Sequence, residues 1–150
     1  MASAHTQWVE EHFIGGHPAL DLANAVFDRR APIADNELLK SARDVGNWLQ
    51  ATGLAGERQA GAVARISDER FLECVREVRE ASFRIFDAIA ADKPPPAQAL
   101  RILLSRAKSG LANGSVELKG TRPELTLAQW RDADVVAALL AMLSIEAFFT

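Results

Sequence analysis

The chain has 150 residues, of which 49% are hydrophobic and 25% charged, and its formal net charge at pH 7 is -3. This length and composition fit one globular domain with its own core and exclude a disordered chain. The acidic balance, without a run of Lys or Arg, argues against a free-standing nucleic-acid-binding protein, which needs a basic face for the phosphates.

A single cysteine, Cys74, excludes an internal disulfide and a cysteine-rich zinc site. Its place in a helical pattern predicts a core residue. Residues 1–12 form a polar lead-in that lacks the basic start and apolar stretch of a signal peptide. The most apolar segment, 135–149, is too short for a membrane span and contains Glu146. We therefore expect a cytoplasmic protein without a membrane partner.

The first predicted elements are a tight turn and a helix. Gly15 and Gly16 give the backbone the freedom that a tight turn needs. Pro18 suits the first turn of a helix, because its missing N–H would be unpaired there in any case. We predict a helix over 18–29, ended by Pro32. One of its faces is apolar: Leu20, Ala23 and Phe27.

The next predicted helix begins after Ser41, which forms a capping-box-like pair with Asp44, and ends near Gly53. A weaker helix is predicted over 57–66. A long helix is predicted over 68–91, with apolar residues at alternating spacings of four and three. Its stripe comprises Phe71, Val75, Val78, Ser82, Ile85 and Ile89.

Three prolines, 94–96, stop the long helix. Another helix follows, which Gly110 is predicted to close. Alternating residues then predict a hairpin around a turn at 120–123: Val116 and Leu118, then Leu125 and Leu127. Asp132 caps a last helix that is apolar nearly all round, so other elements should enclose it. The predicted fold is mainly α with a small antiparallel β-hairpin (α+β), a compact multi-helix bundle that forms one domain over 1–150.

The segment 15–24 is the most unusual stretch of the sequence. A glycine pair that opens a helix exposes N–H groups able to hold an anion, whereas the alternative is a tight turn in which Asp21 and Asn24 bond neighbouring loops. The spacing of a phosphate loop is missing. The candidate ligand-binding residues are Gly15, Gly16, His17, Asp21, Asn24, Arg79 and Trp48.

Other chemistry has less support. His17 and Asp21 lie one helical turn apart, but two ligands do not make a metal site, and His5 and His12 belong to the lead-in. No Gly-x-Ser-x-Gly or His-Glu-x-x-His motif occurs, so we predict no catalytic residue, no metal site and no enzyme.

Arg79, like Arg84, flanks the core stripe of the long helix. A partly buried Arg79 would need a carboxylate such as Asp21, and we prefer this structural pairing to anion recognition. Trp48 and Trp130 are interpreted as core residues with satisfied N–H groups, the alternative being walls of a cavity.

Several motifs together resemble the ABATE domain, whose chains open on F-x-G-G-x-x-x-L-D-[FL]-x-N-T. The opening residues are Phe13 and Gly15-Gly16-His17-Pro18-Ala19-Leu20-Asp21-Leu22-Ala23-Asn24, followed by Arg29 or Arg30. Ala25 stands where Thr is usual. The later blocks are Leu38-Leu39, then Asp44, Trp48 and Gly53-Leu54, then Arg79-Glu80-Ala81, Phe86 and Pro94-Pro95-Pro96 to Leu100. The resemblance extends from about residue 13 to the end of the chain.

This resemblance implies a stress-induced bacterial transcription regulator. Members of the family pair the domain with a C-terminal CGNR zinc finger that binds DNA. One cysteine cannot ligate that zinc, so the finger is absent from this sequence, and zinc and DNA are expected only with the missing module. Two alternatives stay open: the natural chain continues past Thr150 into the finger, as the stop directly after an apolar helix hints, or this member of the family has lost the finger.

Three hypotheses follow. The leading one is a regulatory domain that senses an unknown small-molecule effector and acts through an attached zinc finger. The second is a small-molecule-binding enzyme that uses His17, Asp21 and Asn24. The third is an interaction module in which the apolar last helix docks a partner or a second copy of the chain, giving a homodimer.

Overall fold

The computed structural model describes residues 5–13, 15–113, 117–119, 122–124 and 129–148. These ranges form a mainly helical bundle, which confirms that part of the predicted fold. Seven α-helices occur in them: α1 Pro18–Ala23, α2 Ile33–Asn36, α3 Ala42–Ala51, α4 Glu57–Ala64, α5 Glu69–Ala90, α6 Ala97–Asn113 and α7 Ala133–Phe148. Two short 3-10 helices, Glu10–His12 and Gln129–Arg131, precede α1 and α7.

The long helix α5 is the centre of the bundle, because α1, α6 and α7 all pack against it. It begins after Asp68, whose Oδ1 accepts a hydrogen bond from the amide of Arg70 at 2.9 Å. Its buried face is the predicted stripe, and each large apolar side chain buried there contributes roughly 1.5–3 kcal/mol. Four of these side chains are at most 1% exposed: Phe71, Val75, Val78 and Ile85. The predicted long helix is confirmed, although Ile89 in its last turn is half exposed.

Helices α6 and α7 cross closely at Gly110. A Cβ at this position would lie 2.2 Å from Cβ of Ala138 and 2.5 Å from the carbonyl oxygen of Asp134. Glycine is therefore required by the close approach of the two helices. The prediction that Gly110 closes α6 is wrong, since the helix continues to Asn113.

The last helix, α7, begins where the sequence predicts. Oδ1 of Asp132 accepts hydrogen bonds from the amides of Asp134 and Val135, which caps the first turn. Phe148 near its other end packs against Phe86 of α5 in a tilted arrangement, with ring centroids 4.9 Å apart. The prediction that other elements enclose this helix is confirmed in part, since Met142 is 42% exposed. Its buried residues are Val135, Val136, Ala137, Ala138, Leu140, Ala141 and Ser144.

Helices α3 and α4 form a second closely packed pair. Oγ of Ser41 accepts a hydrogen bond from the amide of Asp44 at 3.2 Å, and Gly53 has a φ of +78° just past the end of α3, as its predicted capping role requires. A Cβ on Gly46 would lie 2.5 Å from the carbonyl oxygen of Ala60, so only glycine allows this separation. The contact sets the two helices side by side.

The first predicted helix is shorter than its apolar pattern suggests. It ends at Ala23 rather than continuing to Arg29. The carbonyl oxygens of Ala23 and Ala25 accept from guanidinium groups instead of amides, at 2.6 Å from Nη2 of Arg29 and 3.3 Å from Nη1 of Arg79. Phe27, predicted to lie on the apolar face, is 79% exposed as a result.

The segment after α1 forms a loop whose two ends pair with each other. Val26 forms an isolated antiparallel bridge with Glu37, and the amide of Phe27 donates to the carbonyl of Asn36 at 2.9 Å. The short helix α2 lies within this loop and was not predicted from the sequence. This pairing joins the two ends of the loop and places Glu37 next to α5.

Two three-residue strands follow α6. Strand β1, Glu117–Lys119, pairs antiparallel with β2, Arg122–Glu124, so that Leu118 lies opposite Pro123. This pairing differs from the predicted hairpin, because β2 occupies residues that the sequence assigns to the turn. The predicted second strand, at 125–127, lies outside the described residues.

Two further sequence expectations concern burial and membranes. Cys74 is buried, as predicted, and burial raises the pKa of its thiol. Among the helices described, none is both long enough and apolar enough to cross a membrane.

Candidate functional site

The glycine turn is held by hydrogen bonds within the segment itself. The amide of Gly15 donates to Oδ1 of Asp21 at 2.8 Å, and the amide of Ala19 donates to Nδ1 of His17 at 3.0 Å. Gly16 has a φ of +80°, a value that favours glycine. These contacts are those of a tight turn with a capped helix, which was the structural alternative for this segment.

The other residues predicted for ligand binding lie apart from one another. Asn24 is exposed at the C-terminus of α1, where its amide donates to the carbonyl of Leu20 at 3.0 Å. Trp48 is 1% exposed and belongs to the core, as does Trp130 at 4%. Their indole N–H groups have no hydrogen-bond partner, so the expectation that these groups are satisfied is wrong. Ligand binding by the 15–24 segment stays a prediction.

Arg79 is the most completely buried charged side chain of the long helix, with 1% exposure. It makes a bidentate ion pair with Glu37, in which Nη1 donates to Oε1 and Nη2 donates to Oε2 at 2.9 Å. Its Nε donates to Oε2 of Glu80 at 2.8 Å. The predicted structural pairing of Arg79 with a carboxylate is therefore confirmed, but Asp21 is the wrong partner, because the bridge to Val26 brings Glu37 to Arg79 instead.

Two more arginines complete this cluster. Arg29 donates from Nη1 to Oε1 of Glu80 at 2.8 Å, and its guanidinium lies 3.7 Å above the ring of Phe83. Nε of Arg76 lies 3.3 Å from Oε2 of Glu37, and Nη2 of Arg76 donates to the carbonyl of Leu39 at 2.8 Å. We call the set the arginine clamp, and its members are Arg29, Glu37, Arg76, Arg79 and Glu80.

The clamp keeps its charges in the folded state. Burial alone would lower the pKa of Arg79, but its hydrogen bonds and charge interactions, first with Glu37 and then with Glu80, raise that pKa above its usual range. Burial would raise the pKa of Glu80, yet the guanidinium groups of Arg29 and Arg79 hold it below its ordinary value. The clamp thus fastens the loop after α1 to α5 by ion pairs, and most of the guanidinium donors of its arginines are bonded to Glu37, Glu80 or backbone carbonyls.

A second group of arginines lies along α4 and the 3-10 helix Gln129–Arg131. A depression of about 550 Å³ is formed by one face of α4 and by the 3-10 helix that packs against it. Three arginines line it together with one acidic residue and two small residues. We call this surface the arginine trough, and its members are Glu57, Arg58, Gly61, Ala62, Arg65 and Arg131.

The trough arginines have no acidic partner among the side chains that the structure describes. No ion pair or side-chain hydrogen bond joins the guanidinium groups of Arg58, Arg65 or Arg131 to a described residue, in contrast to the arginines of the clamp. Arg58 in α4 and Arg65, the C-cap of that helix, are both exposed. Sequence reasoning missed this site, although the signal is the helical spacing i, i+3, i+4, i+7 over positions 58, 61, 62 and 65.

The trough continues into a furrow between α3 and α4. A neighbouring depression of about 220 Å³ shares Glu57, Gly61 and Arg65 with the trough and adds Arg43 from α3. The carboxamides of two α3 residues also line it: Asn47 and Gln50. The furrow exists because Gly46 lets the two helices pack at close distance.

The N-terminal residues border the far end of this furrow. Asp44, which is fully buried, accepts a hydrogen bond from the amide of Thr6 at 2.7 Å, and its carbonyl accepts from Nε1 of Trp8 at 3.0 Å. Thr6 and Trp8 line a depression of about 430 Å³ with Arg43. This part of the lead-in is therefore fixed to α3.

The histidines considered as metal ligands make local contacts. Nδ1 of His12 accepts from the amide of Val9 at 3.0 Å, in the same manner as Nδ1 of His17 at the glycine turn. Within the described ranges, no group of three or more His, Cys, Asp or Glu side chains is placed to hold a metal ion.

Comparison with known proteins connects this fold to one family. The family model of the ABATE domain, described as "putative stress-induced transcription regulator", matches residues 16–148. The chain belongs to the ABATE family. No curated protein and no solved structure matches it.

The clamp gives a physical meaning to one motif by which this ABATE chain resembles its family. Of the Arg79-Glu80-Ala81 string on α5, the arginine and the glutamate are both clamp residues, and Ala81 is fully buried. The glycine turn has a comparable explanation, since a Cβ on Gly15 would lie 2.8 Å from Cβ of Leu20. Both motifs serve the architecture of the domain, and the trough lies outside the motifs that the sequence analysis singled out.

Proposed function

We propose that this ABATE-family chain is the effector-sensing, non-enzymatic domain of a stress-induced transcription regulator that works in the cytoplasm. The regulatory part of the proposal rests on one observation, the family match over residues 16–148. The sensing part is supported by the arginine trough and its furrow, which offer an open polar surface beside a tightly fixed helical body.

DNA binding is assigned to a separate zinc-finger module of the CGNR type. The chain has one cysteine, whereas a structural zinc site needs four ligands that are mostly Cys and His. Its net charge of -3 also disfavours strong attraction to a duplex. Zinc would therefore be held by that module and not by this domain.

Binding without catalysis is supported by the state of the candidate catalytic side chains. Asp21 accepts the amide of Gly15, and His17 accepts the amide of Ala19, so both groups already serve the backbone. A general base or nucleophile must instead be within reach of a substrate. Formation of a homodimer stays a prediction.

The test is a transcript profile of the source organism with and without the gene, under several stresses. We expect a defined set of transcripts to change in the deletion strain and to return when the full natural protein is restored. An unchanged profile under every stress, or turnover of a small molecule by the purified protein that Asp21→Asn abolishes, would contradict the proposal.

A further inference from the structure

We propose that the arginine trough binds a small molecule that bears two or more phosphate or carboxylate groups. This inference rests on the proposed sensing function and names the chemical class of its effector. It begins from the arrangement of three cationic side chains around one depression of about 550 Å³.

The spacing of the arginines suits a ligand with more than one anionic group. Arg58 in α4 and Arg65, which caps the C-terminus of that helix, are seven residues apart, which is about 10 Å along a helix axis at 1.5 Å per residue. Arg131 reaches the same depression from the neighbouring 3-10 helix. Guanidinium groups bind phosphates and carboxylates through paired N–H donors, so separate groups of one ligand can each meet an arginine.

The charge balance of the trough calls for an anion. Among the described residues that line it, Glu57 is the one acidic residue, against three arginines that make no ion pair with any described residue. Cations gathered around a concave surface repel one another and attract anions more strongly than they would on a flat surface. A bound polyanion would relieve this repulsion.

Gly61 keeps the floor of the trough open. A Cβ at this position would have no heavy atom within 4 Å, and its φ is not in the left-handed region. Neither packing nor backbone geometry therefore requires glycine, although glycine is a poor residue for a helix interior. Its effect is to leave space between Arg58 and Arg65.

The surroundings favour a small ligand over a duplex. The neighbouring depression shares Arg65 and Arg131 with the trough and is also lined by three acidic residues, Asp68, Asp132 and Asp134. A duplex that extends past the trough would meet these carboxylates, whereas a small molecule is confined to the arginines. The net charge of -3 disfavours the duplex for the same reason.

The experiment is calorimetric titration of the purified chain with pyrophosphate, tripolyphosphate and citrate, at low and at physiological ionic strength. We expect saturable binding of at least one probe that weakens as salt rises. The double variant Arg58→Ala/Arg65→Ala should lose about tenfold or more in affinity, because two charge-assisted contacts are removed. The controls Arg84→Ala and Arg101→Ala, exposed arginines of α5 and α6, should bind as the wild type does.

A second variant blocks the trough without removing an arginine. Gly61→Glu places a carboxylate on the floor and should abolish probe binding while the helical circular dichroism is kept, and Gly61→Ala should retain binding. Absence of binding by every probe, or equal binding by wild type and the double arginine variant, would overturn the proposal.

Duplex DNA is the competing outcome. If a short duplex binds more tightly than the small probes and depends on Arg58 and Arg65, the surface is a nucleic-acid site and the proposal is overturned. The transcript profile separates this inference from the proposed function. A changed profile without probe binding removes only the effector class, and probe binding with an unchanged profile removes only the regulatory role.

Discussion

The arginine clamp and the arginine trough use the same residue type in opposite ways. In the clamp, the guanidinium of Arg79 is 1% exposed and all three of its nitrogens donate to Glu37, Glu80 or a carbonyl. In the trough, Arg58 and Arg65 are exposed and pair with no described acidic residue. Most donors of the clamp arginines are bonded within the fold, Nε of Arg29 being a buried exception. The side chains of the trough arginines make no such bond to a described residue.

The comparison teaches that the surroundings of an arginine decide its role more than its position in a motif. Arg79 was a candidate ligand-binding residue because it flanks the core stripe, and the structure gives it protein partners on every side. Arg58 and Arg65 belong to none of the motifs that the sequence analysis singled out. A functional arginine is recognised by unpaired donors that converge on a concave surface.

The largest effect is expected from breaking the clamp. Arg79→Ala would leave Glu37 and Glu80 without their buried cation, so the free energy of unfolding should fall by about 3–5 kcal/mol. Urea unfolding followed by circular dichroism measures this loss. Arg84→Ala, five residues along the same helix and exposed, should change stability by less than about 0.5 kcal/mol. Similar losses in the two variants would show that the clamp does not stabilise the fold.

The next effect concerns the close crossing of α6 and α7 at Gly110. In Gly110→Ala, the new Cβ would lie 2.2 Å from Cβ of Ala138, so α6 and α7 must move apart. We expect a loss of about 2–3 kcal/mol, within the range seen for overpacked cores. A midpoint of urea unfolding equal to that of the wild type would contradict the close crossing.

A smaller effect is expected from removing the charge of Glu80, which pairs with two arginines of the clamp. The pKa of Glu80 lies below its ordinary value of 4.5, because the hydrogen bonds and charges of Arg29 and Arg79 outweigh the opposing effect of burial. A lowered folded pKa stabilises the protein above the unfolded pKa, and this contribution is lost as pH falls through the folded value. Glu80→Gln should therefore cost about 1 kcal/mol at pH 7, since Glu80 is partly exposed.

The pH dependence is the readout for that variant. Urea unfolding of wild type and Glu80→Gln should show curves that converge as pH falls below the ordinary value of 4.5. Parallel curves over this range would mean that the ion pairs of Glu80 do not stabilise the fold.

The smallest effect is a gain of stability in the trough. Gly61→Ala adds a methyl group where no heavy atom lies within 4 Å and replaces glycine inside a helix. We expect unfolding to become harder by about 0.5–1 kcal/mol. Thermal unfolding checks the sign, and a decrease would show that glycine is needed here for the fold.

Sequence patterns predicted the elements whose structure depends on local periodicity and capping. The long helix α5, the capped helix α3 and the enclosed helix α7 follow from apolar spacing, from Ser41 and from Asp132. These signals are local, because they depend on residues a few positions apart.

The errors came from contacts between distant residues. The apolar pattern of the first helix continues to Phe27, but Arg79, 54 positions along the chain from Ala25, takes the carbonyl of that residue. Gly110 resembles a helix end until α7 is placed against it. The pairing of Arg79 with Glu37 depends on the bridge between Val26 and Glu37, and no pattern in the sequence predicts that bridge.

The central claim is that the clamp arginines hold the fold while the trough arginines are free to bind an anion. Urea unfolding of wild type and of Arg58→Ala/Arg65→Ala, each with and without pyrophosphate, tests it most directly. We predict equal midpoints without the probe and a stabilisation of the wild type alone with it, by about 2.7 kcal/mol at a hundredfold excess over Kd. Earlier unfolding of the variant without pyrophosphate, or an equal shift of both proteins with it, would contradict the claim.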